Sequence, residues 1–441
     1  MTTRSALLAL ALAAPLASAH EIVGYYPGWV AGRDDPFPVS TANIDATRLT
    51  VLNYAFLDIC WNGRHGNPAP GGDGALRDCQ DGDGRPIRPP DGAIVLGDPG
   101  LDATAGGRGH DNLGKLLALK AVNPKLKLMA SIGGWVASNQ FSNMAASAAT
   151  RANFVASAVA FLRRYRFDGI DIDWEFPGAI GLPCASGAVC ERASDKPNFV
   201  LLARELRTAL DRAGAQDHRR YALTIAAGSG RKHVLDAQGS SAWLRALAAS
   251  LDWINVMTYD YHGTWDGSSG HVAPLRADPR DNSAKATTFN ADASISMFLD
   301  AGIPADTLVL GLPFYGYGWA GCAAGPQGDG LYQPCSGPAA GAQASTFDFA
   351  YLVRQGYLGR DANGRYSVGA RGFTRYWNVA AGVPWLYNPA SQVFISYEDE
   401  ASVEAKVRYL LDRGLRGAMF WELNADRDKV LGTVLAQDLP H

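Results

Sequence analysis

The chain carries little net charge for its size. Its 441 residues hold 40 Lys and Arg against 43 Asp and Glu, a formal net charge of −3, and no basic run occurs anywhere. That absence argues against nucleic acid or an anionic membrane surface as partner and suits an uncharged ligand. Long apolar runs are also missing. The stretch Ala6–Ala14 is too short to span a bilayer. With Arg4 before it and Ala17-Ser18-Ala19 after it, residues 1–19 read as a secretory signal peptide. A mature, extracellular protein beginning near His20 is expected. Cysteine is sparse, 6 residues in three close pairs: Cys60 with Cys79, Cys184 with Cys190, and Cys322 with Cys335. Each pair falls in a Gly-rich stretch after a strand, and in an exported chain local disulfides are expected. None of the 8 His stands at ligand spacing beside them, so neither a metal nor another cofactor is expected.

What the chain does have is one dense run, Asp168-Gly169-Ile170-Asp171-Ile172-Asp173-Trp174-Glu175. Side chains alternate faces along a strand. Asp171, Asp173 and Glu175 therefore share one face, and Ile170, Ile172 and Trp174 share the other. Like charges at that spacing raise one another's pKa, which makes the row costly unless it serves chemistry. Acids on the wet face of an antiparallel sheet would alternate in the same way. A calcium loop fits worse, because Ile172 and Trp174 fill its spacer positions and Phe176 and Leu182 stand where its Gly and last Glu belong. Asp168 has the wrong parity and is expected to serve the entry to the strand. Aromatic residues make up 10%, with 11 Trp, several beside Gly or Pro in loops. Flat rings in loops are what a sugar-binding cleft uses.

Short apolar runs alternate with helical spacing along the rest. The strands read are Glu21–Tyr26, Arg48–Asp58, Lys125–Ile132, Gly169–Glu175, Ala222–Ala227, Trp253–Tyr259, Thr307–Phe314 and Gly414–Glu422. Helical segments include Asn112–Ala121, Ala149–Tyr165, Lys196–Ala213, Ser240–Leu251, Ala291–Ala301 and Ser402–Arg413. This pattern predicts an α/β fold, a (β/α)8 TIM barrel, with polar residues gathered at the C-terminal ends of its strands. Two intervals exceed a simple connection. Cys60–Asp111 reads as an elaborated loop, whose Asp81-Gly82-Asp83-Gly84 hints at calcium but reads better as a solvated turn. Residues 316–389 carry aromatic and strand-like residues of their own.

The carboxylate run is similar to the DxxDxDxE signature of family 18 glycoside hydrolases, the chitinases and their relatives. Further matches follow in that family's order: Gly24-Tyr25-Tyr26-Pro27-Gly28-Trp29, Tyr54-Ala55-Phe56, Ser131-Ile132-Gly133-Gly134-Trp135, Met257-Thr258-Tyr259-Asp260, Gly311-Leu312-Pro313-Phe314-Tyr315-Gly316 and Gly417-Ala418-Met419-Phe420-Trp421-Glu422. The resemblance spans nearly the whole mature chain. It implies a catalytic barrel over 20–315 and 390–441, interrupted between strands seven and eight by a small α+β insertion domain over 316–389. No separate carbohydrate-binding module is expected within the chain.

By the same resemblance Glu175 is the general acid and the substrate's own 2-acetamido group is the nucleophile. Asp173 orients that acetamide and shares a proton with Asp171, and Tyr259 donates to the acetamide carbonyl. Asp260 binds the sugar near the cleavage point, Met257 packs under it, and Trp421 floors the −1 subsite. Tyr25, Phe56 and Gly134, in matched segments, are expected at the substrate. Trp29, Trp135, Trp265 and Trp319 are the candidate stacking residues. Ser131 is expected to bond within the barrel floor. Tyr317 departs from the pattern, standing where relatives commonly have Arg. The function implied is a secreted, monomeric chitinase acting on chitin or chito-oligosaccharides with retention. An endo-N-acetylglucosaminidase acting on glycoproteins is the runner-up. A chitin-binding lectin on the same scaffold would have lost the acid that this chain keeps.

Overall fold

The computed structural model describes residues 20–104, 107, 109–185 and 188–441. The expected signal peptide, residues 1–19, lies outside the described residues. Eight parallel strands form the central sheet: β1 (Glu21–Pro27), β2 (Val51–Ile59), β3 (Lys127–Gly133), β4 (Gly169–Asp173), β5 (Ala222–Gly228), β6 (Trp253–Met257), β7 (Leu308–Pro313) and β8 (Gly417–Trp421). Each pairs with its sequence neighbours in the sheet, and β1 pairs with both β2 and β8, so the barrel closes.

Alternation along these strands sorts the side chains. Val23, Tyr25, Val51, Ala55, Met129, Ala222, Trp253, Val309 and Met419 fill the barrel interior as one cluster. The alternate residues, such as Ile22, Leu52, Leu128, Ile170, Leu223, Ile254 and Leu310, face outward into the larger apolar layer beneath the helices. Those helices start where a side chain can take the free N–H groups of the first turn. Ser147 caps Ala148–Tyr165, Asn290 caps Ala291–Asp300, and Asp399 with Ser402 forms a capping box on Glu400–Asp412. A helix Asp195–Asp217 packs beside Ala148–Tyr165 on the outside of β4.

A second sheet sits between β7 and β8. Its strands run in the order Gly337–Pro338, Tyr315–Ala320, Val393–Ser396, Val383–Asn388 and Thr374–Asn378, with Thr346–Asp348 also paired to Tyr315–Tyr317. Val393–Ser396 lies beyond the boundary expected at 389, because its antiparallel pairing to Tyr317–Trp319 makes it a central strand of the inserted sheet. The insertion therefore extends from Tyr315 to Ser396. Cys60–Cys79, Cys184–Cys190 and Cys322–Cys335 are each disulfide-bonded. In the long β2 loop, Ile94–Val95 adds antiparallel to the end of β2. The Asp81 carboxylate closes its turn by accepting from the N–H groups of Asp83 and Arg85.

Candidate active site

β4 delivers the carboxylate row to the barrel mouth. Trp174 keeps its outward parity, stacked on Phe141 at 5.3 Å and tilted against Phe199 at 5.3 Å. Asp168 sits below the strand, where its Oδ2 accepts from the Leu128 N–H at 2.7 Å and anchors the entry.

Asp171 is fully buried and is the hub of the mouth. It accepts from Tyr25 Oη at 2.8 Å on β1, Ser131 Oγ at 2.8 Å on β3, Thr224 Oγ1 at 2.6 Å on β5 and Asn255 Nδ2 at 3.3 Å on β6. Burial raises its pKa while these four donors work the other way. On balance burial wins, and its carboxyl stays above the ordinary range. In its donors Asp173 is the opposite. Its Oδ1 is buried, and no donor among the described residues reaches it. Burial first, then repulsion from Glu175 and Asp171, pushes its carboxyl well above the ordinary range.

Glu175 lies past the end of β4, half-buried. Its N–H donates to Ser138 Oγ at 2.8 Å, and that hydroxyl donates to the Gly134 carbonyl at 2.8 Å. Its side chain shares a recess with Asn67, Trp135, Asn139, Leu182 and Cys190. Burial, reinforced by the facing Asp260, raises its carboxyl to about 8, so it is protonated at neutral pH. A protonated carboxyl open to a cleft is equipped to donate a proton.

Two aromatic walls flank the row. On one side Trp421 stacks on Phe56 at 5.6 Å with an 11° interplanar angle, and Trp29 tilts against both rings at 6.1 and 6.2 Å. On the other, Tyr259 meets Tyr315 edge-on at 6.2 Å, and Trp265 meets Tyr317 edge-on at 5.3 Å. Among the described residues the Tyr259 hydroxyl has only the Met419 thioether as a hydrogen-bond partner, at 3.8 Å. Burial and the surrounding carboxyls hold its pKa well above the ordinary phenol value, so it stays a donor. Asp260 occupies a left-handed backbone conformation, φ 58°, and Tyr315 Oη donates to its Oδ1 at 2.7 Å.

Comparison with known proteins places the chain. Residues 21–426 match Glycosyl hydrolases family 18. The chain belongs to this family. It is 46% identical to Chitinase A1 of Niallia circulans over 97% of its own length, and it spans 59% of that protein. It is 30% identical to Chitinase B of Serratia marcescens, over 89% of this chain and 76% of that one. Among solved structures, Chitinase ChiA74 from Bacillus thuringiensis superposes with a TM-score of 0.84 at 39% identity, covering 96% of this chain and 70% of the other. A family 18 N-acetylglucosaminidase from Paenibacillus barengoltzii superposes at 0.71 with 30% identity, covering 95% and 100%.

Three of the expected substrate residues stand elsewhere than the family pattern suggested. Trp319 is wholly buried in the inserted sheet, edge-on to Phe394 at 5.7 Å, and cannot stack on a ligand. Tyr25 is 2% exposed and lies behind Asp171, holding it rather than facing the cleft. Gly134 is buried with φ 75°, and a Cβ there would meet the Phe56 ring at 2.3 Å, so it gives Phe56 its place. Trp29, Trp135 and Trp265 remain open to solvent at 40%, 48% and 59%. Phe56, Met257, Tyr259 and Trp421 are half-buried at the mouth. The family pattern missed Ser138, Thr224, Asn255 and Tyr315. Thr224 and Asn255 had a signal, since each is a polar residue at an inward position of an otherwise apolar strand.

Proposed function

We propose that the chain is a secreted chitinase, hydrolysing β-1,4 linkages between N-acetylglucosamine units by a substrate-assisted, retaining mechanism. The observation that carries this reading is that, among the described residues, the buried Asp173 Oδ1 has no donor and the Tyr259 hydroxyl has no oxygen or nitrogen partner. An acetamide supplies the N–H that the first lacks and the carbonyl that the second can donate to.

With that group in place, Glu175 gives its proton to the glycosidic oxygen as the C1–O bond breaks. The acetamide carbonyl oxygen bonds to C1 from the opposite face, forming an oxazolinium ion whose N–H is held by Asp173. Holding the nucleophile on the substrate gives it an effective concentration of about 10⁵ M or more. Water then attacks C1, the ionised Glu175 takes its proton, and the acetamide is restored. Two inversions leave the β-anomer. Donors on Asp171 oppose the effect of its burial and favour a negative charge beneath the developing positive one.

The open Trp29, Trp135 and Trp265 favour a linear polymer, since successive sugars can each find a ring. Hydrolysis of partly acetylated chitosan tests the mechanism. New reducing ends are expected to be N-acetylglucosamine, with β-anomer first by NMR. Frequent glucosamine at those ends, or α-anomer in the first minutes, would show that the substrate is not its own nucleophile.

A further inference from the structure

Trp265 projects from a stretch that has no frame of its own. Between β6 and the helix Ala291–Asp300 the chain forms neither helix nor strand, apart from one bridge between Ser268 and Pro334. A ring on so long a connection needs outside support to keep one position. The support converges on Asp266. Its N–H donates to the Gly263 carbonyl at 2.8 Å and closes the turn beneath the ring. Its Oδ1 accepts from Lys285 Nζ at 2.9 Å, and its Oδ2 lies 2.9 Å from His262 Nδ1. Its carbonyl accepts from the indole N–H of Trp319 at 3.4 Å. Thus one residue is gripped by its own loop on two sides and by the inserted sheet on a third.

Neighbouring contacts extend the lacing. Thr264 Oγ1 and Ser345 Oγ are 3.0 Å apart. The Cys335 N–H donates to the Gly267 carbonyl at 3.0 Å, and the Ser269 N–H donates to the Gln333 carbonyl at 2.9 Å. The indole itself folds over Gly263, where a Cβ would stand 2.3 Å from its ring atoms.

We infer that Asp266 is a positioning residue for ligand binding: it fixes the turn that presents Trp265 to the cleft and ties that turn to the inserted sheet. The inference rests on the chito-oligosaccharide reading above. It also accounts for Trp319, whose buried indole holds the Trp265 turn instead of stacking on sugar.

The test is a double-mutant cycle in protein carrying Glu175→Gln, titrated with the β-1,4 hexamer of N-acetylglucosamine. Trp265→Ala is expected to weaken binding by about 10-fold, the loss of one stacking ring. Asp266→Asn keeps the side-chain shape but loses the charge that His262 and Lys285 hold, and roughly a 5-fold loss is expected. Adding it to Trp265→Ala should cost nothing further. Lys285→Gln, at the surface, serves as a variant that folds, with about a 2-fold loss that vanishes once Trp265→Ala is present. Losses that multiply, or an unchanged affinity in Asp266→Asn protein, would overturn the inference. Hexamer binding without that coupling would leave the chitinase reading standing, whereas no hexamer binding at all would overturn both.

Discussion

In the proposed mechanism the chemistry at Glu175 depends on a single proton, and its surroundings decide when that proton is present. Burial and the facing Asp260 hold it up to about 8, so the acid form persists through neutral pH and is lost as pH rises through that value. The alkaline limb of kcat/KM is therefore expected near pH 8. Asp260→Asn removes the facing charge and should move that limb to lower pH. Glu175→Gln should lower kcat by roughly 10²–10⁴-fold while the hexamer still binds. Activity near wild type in that variant would place the acid elsewhere. Asp171, by contrast, has four donors pointing at it, which oppose the rise that burial gives its carboxyl.

Among the elements, β4 supplies the carboxylates but cannot orient them alone. Tyr25, Ser131, Thr224 and Asn255 reach Asp171 from β1, β3, β5 and β6, so the closed barrel acts as the clamp. Thr224→Val keeps the shape of the side chain and removes the 2.6 Å hydrogen bond to Asp171. A loss of about 1–3 kcal/mol in stability is expected, since a buried acceptor is left short of a donor. Denaturant midpoints measure this. kcat should fall as well, because Asp171 lies directly beneath Asp173 on the same strand. A stable, fully active Thr224→Val protein would show that the hub is redundant.

For the whole molecule, three buried acids outside the row follow the same sign as Glu175. Burial raises Glu422 to about 8, helped by Asp348, and raises Asp102 and Asp426 to about 7. Each folded pKa lies above the unfolded value of about 4, so its contribution to stability is complete below that value and is lost as pH rises through about 7 to 8. Glu21 runs the other way. Its burial is outweighed by Lys127, with Arg416 assisting, so its contribution is lost as pH falls below about 4. The thermal midpoint is expected to be highest near about pH 4–5 and to fall toward about pH 8. A midpoint that climbs from about pH 5 to 8 would contradict these assignments.

Strand periodicity, the parity of Asp171, Asp173 and Glu175, and the order of the matched segments are local properties. A barrel and the carboxylate row at its mouth were therefore legible from residue spacing, while the role of Glu175 as acid came only with the resemblance to family 18. Strand positions were legible for the same reason, since an apolar residue at every second position leaves one register that buries it. The extent of the inserted sheet was not, because Val393–Ser396 joins it through pairing with Tyr317–Trp319, some 75 residues earlier in the chain. Nor was the fate of the tryptophans. Trp265 and Trp319 look alike as loop aromatics, yet the fold leaves one at 59% exposure and seals the other. Which ring meets solvent depends on what packs against it from distant parts of the chain, and only the tertiary structure decides that.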